Sequence, residues 1–339
     1  TVEVWLRPAA DDQPSYRHFS RVDVGYSGDS ADPATLKLVE AVCARVGEVQ
    51  GALPERWLPG PPPGPRAGFR ARGPEIELRI TLACNECCRF CNTGRDAENV
   101  IEDPEAVKRV LRDGPGVGIR EVVFSGGEPT LVPWLADRVK DARRAGLRVG
   151  IQTNGVVPSD RAWWDRFREP DGTWLLPDHV MVSFHTRHAH RVEDLTGVAG
   201  TFDRKVQAIR IARSLGVRVA LNFVIQRANV DELDGFPDFV HATFGADVEV
   251  VLSVVAPTAR ARDNLDVMPR MADVVPALAR AVDRATRLGL DFNIADLCGL
   301  PPCVLPDRPE AFAALRAERI VDSCDADHVK FDTCPTCDH

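Results

Sequence analysis

Between residues 75 and 295, short β-branched runs alternate with longer stretches in which apolar residues recur every three or four positions. The first texture belongs to buried strands and the second to helices packed by one face. Strands are predicted at 76–82, 121–125, 148–153, 179–184, 218–225 and 248–255, with a shorter run at 290–295 that closes the sheet edge. Helices are predicted at 104–112, 132–145, 159–168, 202–215, 230–244 and 269–288. Strand and helix alternating in this way imply a parallel sheet with right-handed crossovers, an α/β fold forming a partial (β/α)6 TIM-like barrel.

Two regions interrupt the rhythm. Residues 1–74 form an N-terminal extension: a polar start with one predicted helix at 33–49, then a Pro- and Gly-rich linker at 53–74. Residues 296–339 form a small cysteine-rich C-terminal extension. The 339 residues are 44% hydrophobic, enough for one large core. No run approaches the roughly 20 apolar residues of a membrane span, and the opening T-V-E-V-W-L-R-P lacks the order of a secretory signal. A cytoplasmic protein without membrane contact is therefore expected. The net charge of -8 disfavours nucleic acid as a partner, and the basic Arg66, Arg70 and Arg72 fall in the linker.

Ten cysteines in a chain expected to stay reduced point to metal or redox chemistry. Four lie within residues 84–91, five between 298 and 337, and Cys43 stands alone in a helix-like pattern that suits a buried inert thiol. The segment C-N-E-C-C-R-F-C places Cys84, Cys88 and Cys91 on one loop after the first predicted barrel strand. Three thiolates hold three irons of a cubane and leave the fourth with an open position. Structural zinc wants four closed ligands, commonly as paired C-x2-C elements. Cys87 leaves open an alternative set of Cys84, Cys87 and Cys91; Phe90, directly before the last cysteine, favours the set with Cys88. Gly126-Gly127-Glu128-Pro129, Thr153-Asn154-Gly155, Ser183 and His185 all end strands on the same rim, where ligands of such folds collect. His185 is near enough to that rim to serve as a substrate contact or proton donor.

The C-x3-C-x-aromatic-C loop followed by G-G-E-P resembles the radical S-adenosylmethionine superfamily over residues 75–295. The likeness extends to T-N-G at 153–155, T-G-V-A-G-T-F-D at 196–203, N-F-V-I-Q-R-A-N-V-D-E-L at 222–233 and V-V-A-P-T-A-R-A at 254–261. The resemblance implies that Cys84, Cys88 and Cys91 carry a 4Fe-4S cluster whose free iron chelates S-adenosylmethionine. It implies that Gly126, Gly127 and Glu128 receive the methionine ammonium, that the Phe90 backbone faces adenine, and that Ser183, Asn222 and Thr153 touch the cofactor. The implied reaction is reductive cleavage to a 5'-deoxyadenosyl radical, which takes hydrogen from a peptide, such as a ribosomally made precursor, or from a small molecule. A flavodoxin or ferredoxin would supply the electron. The tail cysteines Cys298, Cys303, Cys324, Cys334 and Cys337 resemble extensions that carry an auxiliary 4Fe-4S cluster, with structural zinc as the alternative. Two other functions fit less well: RNA modification, against which the acidic balance weighs, and a non-catalytic iron-sulfur or zinc scaffold, which would not need the G-G-E-P rim.

Overall fold

The computed structural model describes residues 2–8, 19–26, 75–92, 102–295, 300, 304–308 and 311–312. Its strands are β1 (Val2–Pro8), β2 (Phe19–Tyr26), β3 (Glu75–Arg79), β4 (Glu121–Ser125), β5 (Arg148–Thr153), β6 (His179–Ser183), β7 (Arg218–Ile225), β8 (Glu249–Val254) and β9 (Phe292–Ile294). They form one sheet in the order β2-β1-β3-β4-β5-β6-β7-β8-β9. All neighbours run parallel except β1 and β2. The sheet is unclosed, and the carboxyl ends of β3 to β9 share one rim, as the alternating pattern predicts.

The helices are α1 (Pro104–Asp113), α2 (Leu135–Arg144), α3 (Arg161–Asp165), α4 (Val192–Thr196), α5 (Phe202–Ser214), α6 (Phe236–Phe244), α7 (Ala259–Arg262) and α8 (Met271–Leu288). Local chemistry explains their limits. Asp103 caps α1 by accepting from the Glu105 N–H at 3.0 Å, Pro104 follows in the first turn, and Val107, Val110 and Leu111 supply the buried face. β4 is buried at all five positions, as a strand covered on both sides must be. Helices pack on it to give one continuous core that includes Phe124, Ile151, Trp164, Phe223 and Phe236.

Several expectations shift. The stretch read as a polar start contains β1, parallel to β3, and β2, antiparallel to β1. Period-two alternation in V-E-V-W-L and R-V-D-V-G-Y is the signal for both. The helix predicted at 230–244 is divided into a 3-10 turn, Val230–Gly235, and α6, because Pro237 fits only the opening turn of a new helix. The predicted helix at 33–49, the linker at 53–74, Cys43 and the five tail cysteines lie outside the described residues. Among the described residues, no helix is long and apolar enough to cross a membrane.

Candidate functional site

The loop leaving β3 carries the cysteines, and two glycines bring the end of β4 against it. A Cβ on Gly126, whose φ is +142°, would lie 2.1 Å from the Thr81 carbonyl oxygen; one on Gly127 would lie 2.3 Å from that of Ala83. This approach, closed to any other residue, lets the Gly127 N–H donate to Thr81 O and the Glu128 N–H to Ala83 O, both at 2.7 Å.

A second clamp acts from the far side. Phe90 is buried with Val255, Ala261 and Val267, which fastens the loop to the segment after β8. The Arg260 N–H donates to the Cys91 carbonyl at 3.2 Å, and the Arg89 guanidinium donates to Asn264 at 2.9 Å and to Asp266 at 2.7 Å. The remaining cysteine turns elsewhere: the Cys87 N–H donates to Thr196 O at 2.6 Å, and its Cβ lies against Gly197, where an added Cβ would be only 2.8 Å away.

Cys84 is exposed and Cys88 and Cys91 are half-buried. Loss of water and the nearby Glu128 and Glu86 push the Cys84 thiol up to about 11, although its side chain keeps some exposed surface. Cys88 is pushed up further by burial and by Glu86, with Lys205 pulling the other way. Thiolates are therefore unfavourable here without a compensating cation, which a ligated iron cluster provides. Among the described residues, no three His, Cys, Asp or Glu side chains converge as a single metal ion requires. A cubane is larger than a single ion, so its three thiolates stand farther apart, each on its own corner. The loop and its backbone cradle thus fit a 4Fe-4S cluster.

Glu128 reaches the rim with its carboxylate turned inward. Fully buried, it accepts from the Thr130 N–H at 3.0 Å, the Thr130 and Thr153 hydroxyls, and the Asn154 N–H at 2.6 Å. A cofactor ammonium meeting this carboxylate would compete with those donors. Thr153 is committed to Glu128 at 2.7 Å and to the Gly155 N–H at 3.0 Å. Ser183 and Asn222 face each other in register and are half-buried, with the Asn222 carbonyl accepting from the Phe184 N–H at 2.9 Å.

Two side chains that strand-end reasoning passed over, Glu86 and Lys205, complete the rim together with Asn154 of the T-N-G strand end. Asn154 donates to Asn85 Oδ1 at 2.6 Å, with Cys84 Sγ 3.9 Å from the same nitrogen. Lys205, only 3% exposed, pairs with Glu86 at 2.8 Å and donates to the carbonyls of Asn154 at 2.8 Å and Ser183 at 3.2 Å. Its signal was a lysine sharing the buried face of α5 with Ala208, Ile209 and Ala212.

His185 is buried, packs edge-on against Phe90 with ring centroids 5.1 Å apart, and accepts from the Val224 N–H through Nδ1 at 3.2 Å. Burial, with Lys205 adding, holds it down at about 3. Because the folded chain keeps this ring neutral while the unfolded chain protonates it near 6.5, the stability it confers is complete above that pH. It is lost as pH falls toward 3, by about 1.4 kcal/mol per pH unit. His185→Asn keeps an acceptor for Val224 and cannot titrate, so its unfolding midpoint in urea should fall less steeply than the parent's between pH 6.5 and 4.5. Parallel pH profiles would refute this role.

Residues 78–240 match the model of the Radical SAM superfamily. A probable GTP 3',8-cyclase of Sulfurisphaera tokodaii is 30% identical over 213 residues, which are 61% of this chain and 65% of that protein. The PqqA peptide cyclase of Gluconobacter oxydans is 33% identical over 156 residues, 46% of this chain and 41% of that one. SuiB of Streptococcus suis, solved bound to S-adenosylmethionine, shares the fold with a TM-score of 0.56 at 17% identity, over 69% of this chain and 52% of SuiB. The chain thus spans less than two thirds of the length of each of these proteins. The family match contains the cysteine loop, the glycine cradle and the strand ends facing them, in agreement with the geometry: residues 78–240 are a Radical SAM superfamily domain, and that family uses a 4Fe-4S cluster and S-adenosylmethionine.

Proposed function

We propose that this chain is a radical enzyme in which Cys84, Cys88 and Cys91 hold the cluster and the rim from Gly126 to Asn222 holds S-adenosylmethionine. The observation that carries the reading is the cysteine loop braced on one side by Gly126 and Gly127 and on the other by Phe90. Once bound, the two cofactors supply a 5'-deoxyadenosyl radical able to take hydrogen from an unactivated C–H bond. The protein contributes position and enclosure. The glycine cradle sets the height of the loop, Phe90 presents its backbone toward the adenine, and Ser183 and Asn222 line the ribose and carboxylate side.

The substrate class we infer is a peptide or a small molecule, with a flavodoxin or ferredoxin as electron donor. Peptides are favoured by the PqqA peptide cyclase and by SuiB, which was also solved bound to its precursor peptide SuiA. The tail cysteines Cys298, Cys303, Cys324, Cys334 and Cys337 would hold an auxiliary cluster. Anaerobic reconstitution with iron and sulfide, followed by reduction with S-adenosylmethionine, should yield 5'-deoxyadenosine. About eight irons per chain are expected with the tail cluster and about four without it. Uptake of zinc in preference to iron, or no 5'-deoxyadenosine from an iron-loaded chain, would sink the proposal.

A further inference from the structure

We propose that the buried Glu86–Lys205 pair is a positioning device that locks the cysteine loop to the rim and sets the charge environment of the cluster. The inference rests on the functional reading above. Glu86 lies inside the C-N-E-C-C-R-F-C loop, between two of the assigned ligands; its N–H donates to Cys84 Sγ at 3.4 Å and its Oε2 is 4.0 Å from Cys88 Sγ. Lys205 comes from α5, far away in sequence. Both side chains are at least nine-tenths buried, at 4% and 3% exposure. One ammonium therefore ties together the loop after β3, through Glu86, the end of β5, through Asn154 O, and the end of β6, through Ser183 O.

Burying two charges is expensive, and apolar residues of similar volume often serve stability as well or better. The position of this pair gives it another use. Three thiolates bring more negative charge than the oxidised core of a cubane offsets, and reduction adds one further unit; such clusters have potentials set partly by net charge and hydrogen bonding around the sulfurs. A buried cation paired with a residue inside the cysteine loop favours the added electron, and a buried carboxylate opposes it.

The test uses the full chain reconstituted with iron and sulfide, with the cluster midpoint followed by electron paramagnetic resonance during titration with dithionite, the electron donor of the assay. Glu86→Gln should move the midpoint upward and Lys205→Met downward, with the double variant below Glu86→Gln. Opposite signs are what a purely structural role would not produce. Should Lys205→Met fail to hold iron, the comparison of Glu86→Gln with the double variant still isolates the lysine, since both lack the carboxylate. A wild-type chain that takes up no cluster overturns the functional reading and this inference together. A wild-type cluster that reduces normally, with variants that titrate at its midpoint or all shift in one direction, overturns the inference alone.

Discussion

Cys88→Ala is expected to lose the cluster and all 5'-deoxyadenosine formation, whereas Cys87→Ala should load iron and turn over as the parent does. The adjacent thiols have identical intrinsic chemistry, so only geometry separates them. Cys87 is held at the end of α4, its N–H donating to the Thr196 carbonyl and its Cβ packed where Gly197 lacks one. Cys88 packs with the Phe90 cluster and shares the electrostatic neighbourhood of Cys84 and Cys91. Neither substitution removes a Cβ, so the contact of residue 87 with Gly197 is kept and the loss at residue 88 is limited to its sulfur. Iron and sulfide analysis with visible absorbance reads the result. Retained iron in Cys88→Ala with loss in Cys87→Ala would move the ligand set to Cys84, Cys87 and Cys91.

The framework of this site was legible because its signals are local. Strands ending at Ser125, Thr153 and Ile225 are bounded by β-branched runs and turn residues, and the structure keeps those ends. The cysteine spacing and G-G-E-P announce themselves for the same reason. Contacts across the fold were not legible. Nothing in C-N-E-C-C-R-F-C says that Glu86 meets a lysine on α5, because the pairing depends on how α5 lies over the ends of β5 and β6. Glu128 illustrates a different limit: a carboxylate at a strand end suggests a cation, yet here it gathers Thr130, Thr153 and Asn154. The resemblance assigns the two glycines to the cofactor, and the structure shows that they also bring the backbone close to the protein's own cysteine loop. β1 and β2 are harder to read, because 48 residues separate β2 from β3 and break the strand-helix rhythm, although their alternation is present.

Gly126→Ala should be among the most damaging substitutions outside the ligands. Two costs combine: about 1–3 kcal/mol for holding an L-residue at this backbone angle, and about 1–3 kcal/mol for forcing a methyl into packed surroundings. The second is at the upper end, because the obstacle is the Thr81 carbonyl, which cannot swing aside as a side chain would. Gly146 supplies the control: its φ is +79°, and a Cβ there would meet nothing within 4 Å. Gly146→Ala therefore carries an ordinary left-handed backbone cost with no clash, and the excess loss of unfolding free energy in Gly126→Ala, read in urea, measures its more extreme φ and its collision with Thr81 together. Whatever relaxation rescues Gly126→Ala must push β4 from the cysteine loop and break the bonds from Gly127 and Glu128 to Thr81 and Ala83. Iron retention under chelator challenge should fall with stability in this variant and stay at the parent level in Gly146→Ala. If both alanines cost the same and both hold iron equally, β4 does not brace the loop, and the cradle assigned to the cofactor has no structural basis.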